Sequence, residues 1–185
     1  MNDKTELNPF RPPSAQLDPP AAAASDALFF TASPTKFAIM SIATFGFYDL
    51  YWFYKNWRTV RTRTGRSISP FWRAFFSVIW SYGCFKEIAM GTEAAASRAN
   101  PATLLAILYF LLNVASRFPD PYWLVSLGTF VPVMVANGWA REANERVEPG
   151  YPENASFSGW NWAAIILGGA LIALAIIGAF LPETP

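Results

Sequence analysis

The feature that most constrains the fold is a run of 19 residues, 163–181, that contains no charged side chain. A helix needs about 20 such residues, rising about 1.5 Å each, to cross the hydrocarbon core of a bilayer. Trp160 and Trp162 lie just before the run, and indole rings prefer the interface between lipid and water. We therefore predict a transmembrane helix over residues 161–181.

The composition of the whole chain favours the same environment. Hydrophobic residues make up 53% of the 185 residues and charged residues only 15%, whereas a typical soluble protein carries about 25% charged residues. A soluble domain of this length cannot bury so much apolar surface in one core. We expect one membrane-embedded, all-α domain over residues 33–182, preceded by a disordered Pro- and Ala-rich tail over residues 1–32.

Further apolar segments are predicted to cross the membrane. Their ranges are 36–54, 102–117 and 122–139. The last two are separated by the sequence RFPDP, in which two prolines end one helix and begin the next. They should form a tight helical hairpin.

The segment 71–90 is ambiguous because its uncharged part, 74–85, is only 12 residues long. That length is too short to cross a core of ~30 Å. A re-entrant or interfacial helix is the simpler interpretation. The expected fold is therefore an integral membrane helical bundle of about four transmembrane helices plus one interfacial or re-entrant helix.

A group of basic residues next to the first predicted span orients the bundle and is a candidate binding site. Its members are Lys55, Arg58, Arg61, Arg63, Arg66 and Arg73. Such groups stay on the cytoplasmic side, which places the N-terminal tail outside. Each basic side chain near a membrane gains ~1 kcal/mol from anionic headgroups. The group could bind an anionic lipid or a partner protein, but the sequence favours the simpler alternative that it only fixes the topology.

Three polar side chains in or beside the predicted spans are also candidates: Asp49, Asn113 and Asn137. An acid inside a bilayer indicates a functional site by default. Asp49, however, lies near the inner end of its span, so a local partner or a headgroup contact is favoured over a proton relay. The two asparagines are expected to hydrogen-bond between helices rather than to bind a substrate.

Several kinds of chemistry are disfavoured by the residue types that are missing. The chain has no His and a single cysteine, Cys84, so it lacks the commonest metal ligand, the usual general base and internal disulfides. We expect no metal, no cofactor and no catalytic residues, and we expect Cys84 to be an inert buried thiol. Nucleic acid is not an expected partner, because the aromatic residues beside the basic group suit a membrane interface.

Four aromatic-rich stretches together resemble a known family. The most distinctive is TFGFYDLYWFYKNW at 44–57, and it is accompanied by SPFWRAFF, RFPDPYW and FSGWNW. In this order they resemble a family of uncharacterised bacterial multi-span inner-membrane proteins, over roughly residues 29–180. The resemblance implies a bacterial multi-pass protein of the cytoplasmic membrane. It implies no particular activity.

These observations favour a small non-enzymatic accessory or scaffold protein of the bacterial inner membrane. Its candidate partners are anionic membrane lipids, further copies of the chain and proteins of a membrane complex. Two alternatives stay open. A transporter or channel subunit would need a polar path around Asp49 and the two asparagines, and a lipid-modifying enzyme would hold a headgroup between Asp49 and arginines of the basic group.

Overall fold

The computed structural model describes residues 28–97 and 100–180, and every regular element in these ranges is helical. Within the described part of the chain the fold is all-α, as predicted. The α-helices are α1 (Pro34–Ala43), α2 (Phe47–Thr64), α3 (Pro70–Phe75), α4 (Ser77–Ala89), α5 (Pro101–Ala115), α6 (Phe130–Val147) and α7 (Gly159–Ala179). Short 3₁₀ helices cover Glu93–Ala96 and Tyr122–Thr129.

The structured domain begins earlier than the sequence indicated. The predicted tail extended to residue 32, but residues 28–33 form a non-helical segment inside the bundle, called here the N-terminal segment. In it Phe29 is 2% exposed and Ala32 is 0% exposed. The prediction of a disordered tail is therefore wrong for residues 28–32, because their apolar side chains are part of the core. Residues 1–27 lie outside the described ranges.

The segment predicted as the first span, 36–54, is not one continuous helix. α1 and α2 are separated by residues 44–46, where Phe45 and Gly46 have φ values of 50° and 83°. This left-handed region turns the chain sharply, and glycine adopts it without strain. Gly46 is the signal in the sequence that ends the first helix.

The N-terminal segment and α1 together run antiparallel to α2, since their early residues contact late residues of α2. The pairs are Leu28 with Thr59, Phe30 with Asn56, Phe37 with Trp52 and Ser41 with Asp49. The N-terminal segment therefore lies beside the basic half of α2. Residues 28–32, which the predicted tail included, are therefore at the same end as the basic group and not on the opposite side, as the predicted orientation required.

The ambiguous segment 71–90 forms a second hairpin. α3 and α4 meet at Phe76, whose φ and ψ of −96° and 40° interrupt the helix. Arg66, just before α3, forms an ion pair with Glu87 near the end of α4. The chain therefore enters and leaves this hairpin at the same end of the molecule, which is also the end that carries the basic group.

Two helices are long and apolar enough to cross a membrane by length and composition, Tyr122–Val147 and Gly159–Phe180. The first of these joins a 3₁₀ helix to α6. α5 is apolar but shorter, and it packs against α4 and α6. The predicted bundle of about four spans therefore stays a prediction.

The core is aromatic and centres on α2. Phe53 packs against Trp52, Phe85 and Tyr109, with ring centroids 5.3, 5.7 and 5.5 Å away. Such ring pairs each contribute about 0.5–1.5 kcal/mol beyond the burial of their area. These contacts join α2 to α4 and α5, while Phe37 of α1 closes the other side of Trp52.

α7 packs on α1 through Gly168, the buried residue of its apolar run. A Cβ at this position would overlap the carbonyl oxygen of Ala43. The approach is close only because glycine has no side chain. Large apolar residues elsewhere on α7, including Leu167, Leu171 and Leu174, are exposed.

We expect Gly168→Ala to lower the free energy of unfolding by about 2 kcal/mol or more, because the added methyl meets backbone that cannot rotate away. The matched control is Gly169→Ala, whose Cβ would enter open space. The control should cause no loss, since alanine favours helix over glycine. Chemical unfolding of both variants in the same detergent measures the difference, and equal stabilities would contradict the close packing.

Candidate functional site

Buried asparagines hold the N-terminal segment by its backbone. Each side-chain amide accepts a hydrogen bond from a backbone N–H and donates one to the carbonyl oxygen of the same residue. The pairs are Asn56 with Phe30 (3.0 and 3.1 Å), Asn137 with Ala32 (3.1 and 2.7 Å) and Asn144 with Phe29 (2.8 and 2.8 Å). We call these three pairs the asparagine clamps. They satisfy peptide groups that are buried away from water.

The clamps come from two helices that face each other across the N-terminal segment. Asn137 and Asn144 are seven residues apart on α6 and therefore lie on one face of it. Asn56 lies on α2, and Trp52 one turn earlier donates its indole N–H to Asn137 at 3.0 Å. Of these residues, only Asn137 was selected from the sequence. The seven-residue spacing was a weak signal for Asn144.

Asp49 lines a cleft of about 230 Å³ between α2, α4 and α5. Its side chain is 1% exposed. One carboxylate oxygen, Oδ1, accepts a 2.5 Å hydrogen bond from the Ser41 hydroxyl. The other, Oδ2, has no hydrogen-bond partner among the described residues. This orphaned oxygen is the least satisfied acidic atom of the described structure.

Other polar groups line the same cleft. Ser77 and Tyr109 place their hydroxyl oxygens 3.0 Å apart, and Asn113 donates to the backbone carbonyl of Tyr109 at 2.8 Å. The structure therefore brings together two of the three polar candidates, Asp49 and Asn113. It places Asn137 elsewhere, in the asparagine clamps. Ser77 and Tyr109 were not selected from the sequence.

The six basic residues form what we call the basic rim, and several of them stack on aromatic rings. The Arg73 guanidinium lies 4.4 Å from the ring centroids of both Trp57 and Trp80. Arg63 lies 4.7 Å from the ring of Phe29. Cation–π contacts of this kind contribute about 0.5–1 kcal/mol each at exposed sites. They fix the positions of the guanidinium groups.

The remaining members of the basic rim are more open. Lys55 and Arg58 line a cavity of about 300 Å³ together with the hydroxyl-bearing Thr59 and Thr62. Arg61 is exposed, and Arg66 forms the ion pair with Glu87. The two threonine hydroxyls already donate to the backbone carbonyls of Leu28 and Arg58, but ammonium and guanidinium groups are also donors that phosphate oxygens accept from. This part of the rim could hold an anionic headgroup.

A patch of exposed aromatic rings lies next to the basic rim, and we call it the aromatic ridge. Its members, Phe71, Trp72, Phe75 and Phe76, are exposed and pack on one another with ring centroids 5.0–6.3 Å apart. The ridge surrounds Arg73 in the sequence. Aromatic rings exposed beside basic groups are typical of a protein surface that meets the headgroup region of a bilayer.

The basic rim and Asp49 lie at different levels of α2. Arg58 follows Asp49 by nine residues, which corresponds to about 13 Å along the helix axis. Arg73 is held between Trp57 and Trp80 rather than beside Asp49. The described structure therefore does not bring the rim arginines and this acid into one pocket.

Cys84 is fully buried in α4. Burial raises the pKa of the Cys84 thiol well above its ordinary value, so the reactive thiolate is not formed near neutral pH. Among the described residues there is also no group of three or more Cys, Asp or Glu side chains that could hold a metal ion. Neither feature offers a reactive centre.

No protein-family model matches the sequence, and neither the curated proteins nor the solved structures contain a significant match. The resemblance described from the aromatic-rich stretches therefore stays a prediction.

The asparagine clamps predict that removing one buried amide strongly destabilises the fold. In Asn144→Ala the N–H and C=O of Phe29 lose their partners inside the core, so we expect the free energy of unfolding to fall by about 3 kcal/mol. Asn113→Ala is the matched control, because this amide donates only to its own helix, and it should cost less than about 1 kcal/mol. Denaturant unfolding measures both changes, and equal losses in the free energy of unfolding would contradict the role given to the clamps.

Proposed function

We propose that the chain is an integral protein of the bacterial cytoplasmic membrane that binds anionic lipid headgroups at its cytoplasmic face and acts as a non-enzymatic accessory protein. The observation that supports this most directly is the neighbouring position of the aromatic ridge and the basic rim. Apolar rings on either side of a fixed cation, as around Arg73, suit the boundary between acyl chains and headgroups. In a larger membrane complex, partner proteins would bind to this same face.

The chemistry of the rim favours phosphate as the group it contacts. The cavity lined by Lys55 and Arg58 is open and adjoins exposed Thr62. Guanidinium groups bind phosphate oxygens through two parallel hydrogen bonds. Stacking of Arg73 between two indoles leaves it a fixed cation beside the ridge. Each basic group near an anionic lipid surface adds about 1 kcal/mol to the free energy of attraction.

In the proposed topology the basic rim and the N-terminal segment lie on the cytoplasmic side. The open ends of the α1–α2 and α3–α4 hairpins lie on that side as well. Because Asn144 is bonded to Phe29, the proposal assigns the end of α6 to that side too. The helix Tyr122–Val147 then starts from the opposite side. Exposed apolar residues on α5, such as Leu104, Ile107 and Leu111, face lipid in this arrangement.

A transporter or channel subunit is the second candidate, because the cleft joins Asp49 to Asn113. Solute flux in reconstituted vesicles that is lost in Asn113→Leu would favour it. The lipid-modifying enzyme has no comparable support, since the arginines of the rim and Asp49 line different cavities.

Single-cysteine labelling tests the topology, in a background with Cys84→Ser. Leu28→Cys and Glu148→Cys should react with an impermeant maleimide from the side of the basic rim, and Phe118→Cys from the opposite side. Leu28 and Glu148 labelled from different sides would contradict the fold. Phe118 and Glu148 labelled from the same side would contradict a crossing by Tyr122–Val147.

Lipid preference tests the rim. In the double variant Arg58→Gln, Arg61→Gln we expect the preference for phosphatidylglycerol over phosphatidylcholine to fall roughly thirtyfold, because two headgroup attractions of about 1 kcal/mol each are lost. Native mass spectrometry of retained lipid in a titration measures the ratio. Arg117→Gln is the control, since Arg117 is exposed and lies in the hairpin between α5 and the following 3₁₀ helix. An unchanged ratio in the double variant would refute the proposed role of the rim.

A further inference from the structure

The Asp49 carboxylate is buried without a cation. It forms none of the ion pairs of the described structure, which join other residues. A carboxylate taken out of water without a partner is costly. Its position in the first turn of α2 favours a negative charge there, because the N–H groups of a helix N-terminus carry partial positive charge. The helix N-terminus therefore favours the negative charge of Asp49, but no cationic side chain of the described residues pairs with it.

The carboxylate is also held in one orientation. Ser41 donates to Oδ1, which leaves Oδ2 as the free acceptor. Across the cleft the hydroxyl groups of Ser77 and Tyr109 offer two more oxygen atoms. A ligand with a positive charge could pair with Oδ2, and one that also has N–H donors could hydrogen-bond to these acceptors.

Aromatic rings surround the mouth of the cleft. Phe45, Phe47 and Phe75 line it and are exposed, with Phe47 at 72%. The faces of such rings attract organic cations within about 6 Å of the ring centre. Hard inorganic cations prefer six or more oxygen ligands, which an aromatic mouth does not supply. The volume of about 230 Å³ lies below the roughly 300–1,000 Å³ of pockets for drug-sized ligands.

We propose that this cleft binds a small organic cation, a protonated amine or a quaternary ammonium group, with the Asp49 carboxylate as its counter-ion and the phenylalanine rings around its mouth. The ammonium group could belong to a free amine or to the headgroup of a zwitterionic phospholipid. Both sources present the same chemistry to the cleft. This site is separate from the basic rim, which attracts anions.

The test is isothermal titration calorimetry of the full chain in phosphatidylglycerol nanodiscs, with tetramethylammonium chloride and n-butylammonium chloride as probes. We expect Asp49→Asn to weaken binding of both probes roughly tenfold or more, since it removes the charge and keeps the shape. Glu148→Gln removes one exposed negative charge elsewhere and should leave the affinity within about twofold. The neutral analogue tert-butanol should not bind.

A second variant keeps the proposal testable if Asp49→Asn fails to fold. Phe47→Leu changes an exposed ring and should weaken tetramethylammonium binding about threefold. Nanodiscs that also contain phosphatidylethanolamine distinguish the two sources: competition identifies the lipid headgroup, and no competition identifies a free amine. The proposal is overturned if Asp49→Asn binds like the unaltered chain, if tert-butanol binds equally well, or if sodium competes as strongly as the organic cations.

Discussion

The asparagine clamps are the interaction on which the rest of the fold depends. A peptide backbone buried among helices has no neighbouring strand to pair with, and each unpaired group costs about 1–3 kcal/mol. An asparagine amide presents an N–H donor and a carbonyl acceptor side by side in one plane, which matches the N–H and C=O of a single residue. Because Asn56 belongs to α2 and the other two clamps belong to α6, the N-terminal segment sets the spacing of these helices.

The clamps also separate two chemically different regions. At the level where the N-terminal segment begins, the basic rim faces outward and presents cations. At the opposite end of α2 the turn at residues 44–46 leaves Asp49 in its cleft, away from those cations. One helix therefore carries an anion-attracting surface and an anionic pocket, and Asp49 forms no ion pair with the cations among the described residues.

Some of this could be predicted from the sequence and some could not. The uncharged run predicted α7, and the paired prolines predicted the boundary after α5, since both signals are local. The break at Gly46 was missed because a single glycine in a mostly apolar and aromatic run is also common inside a transmembrane helix. Asn144 was missed because its partner, Phe29, is 115 residues away, and no local pattern distinguishes a buried asparagine from a surface one. Asp49 was recognised as unusual, but its cleft depends on α4 and α5.

The long separation of the clamp partners has a consequence for how the chain is made. Asn137 and Asn144 follow their partners by 105 and 115 residues, so on a ribosome they emerge on the order of ten seconds later. Until then the peptide groups of Phe29 and Ala32 lack their clamps, and only Asn56, 26 residues after Phe30, can hold the segment. In a chain inserted during translation it must also remain on the side where α6 will end. Premature export of the nascent N-terminus would strand it beyond reach of its own clamps.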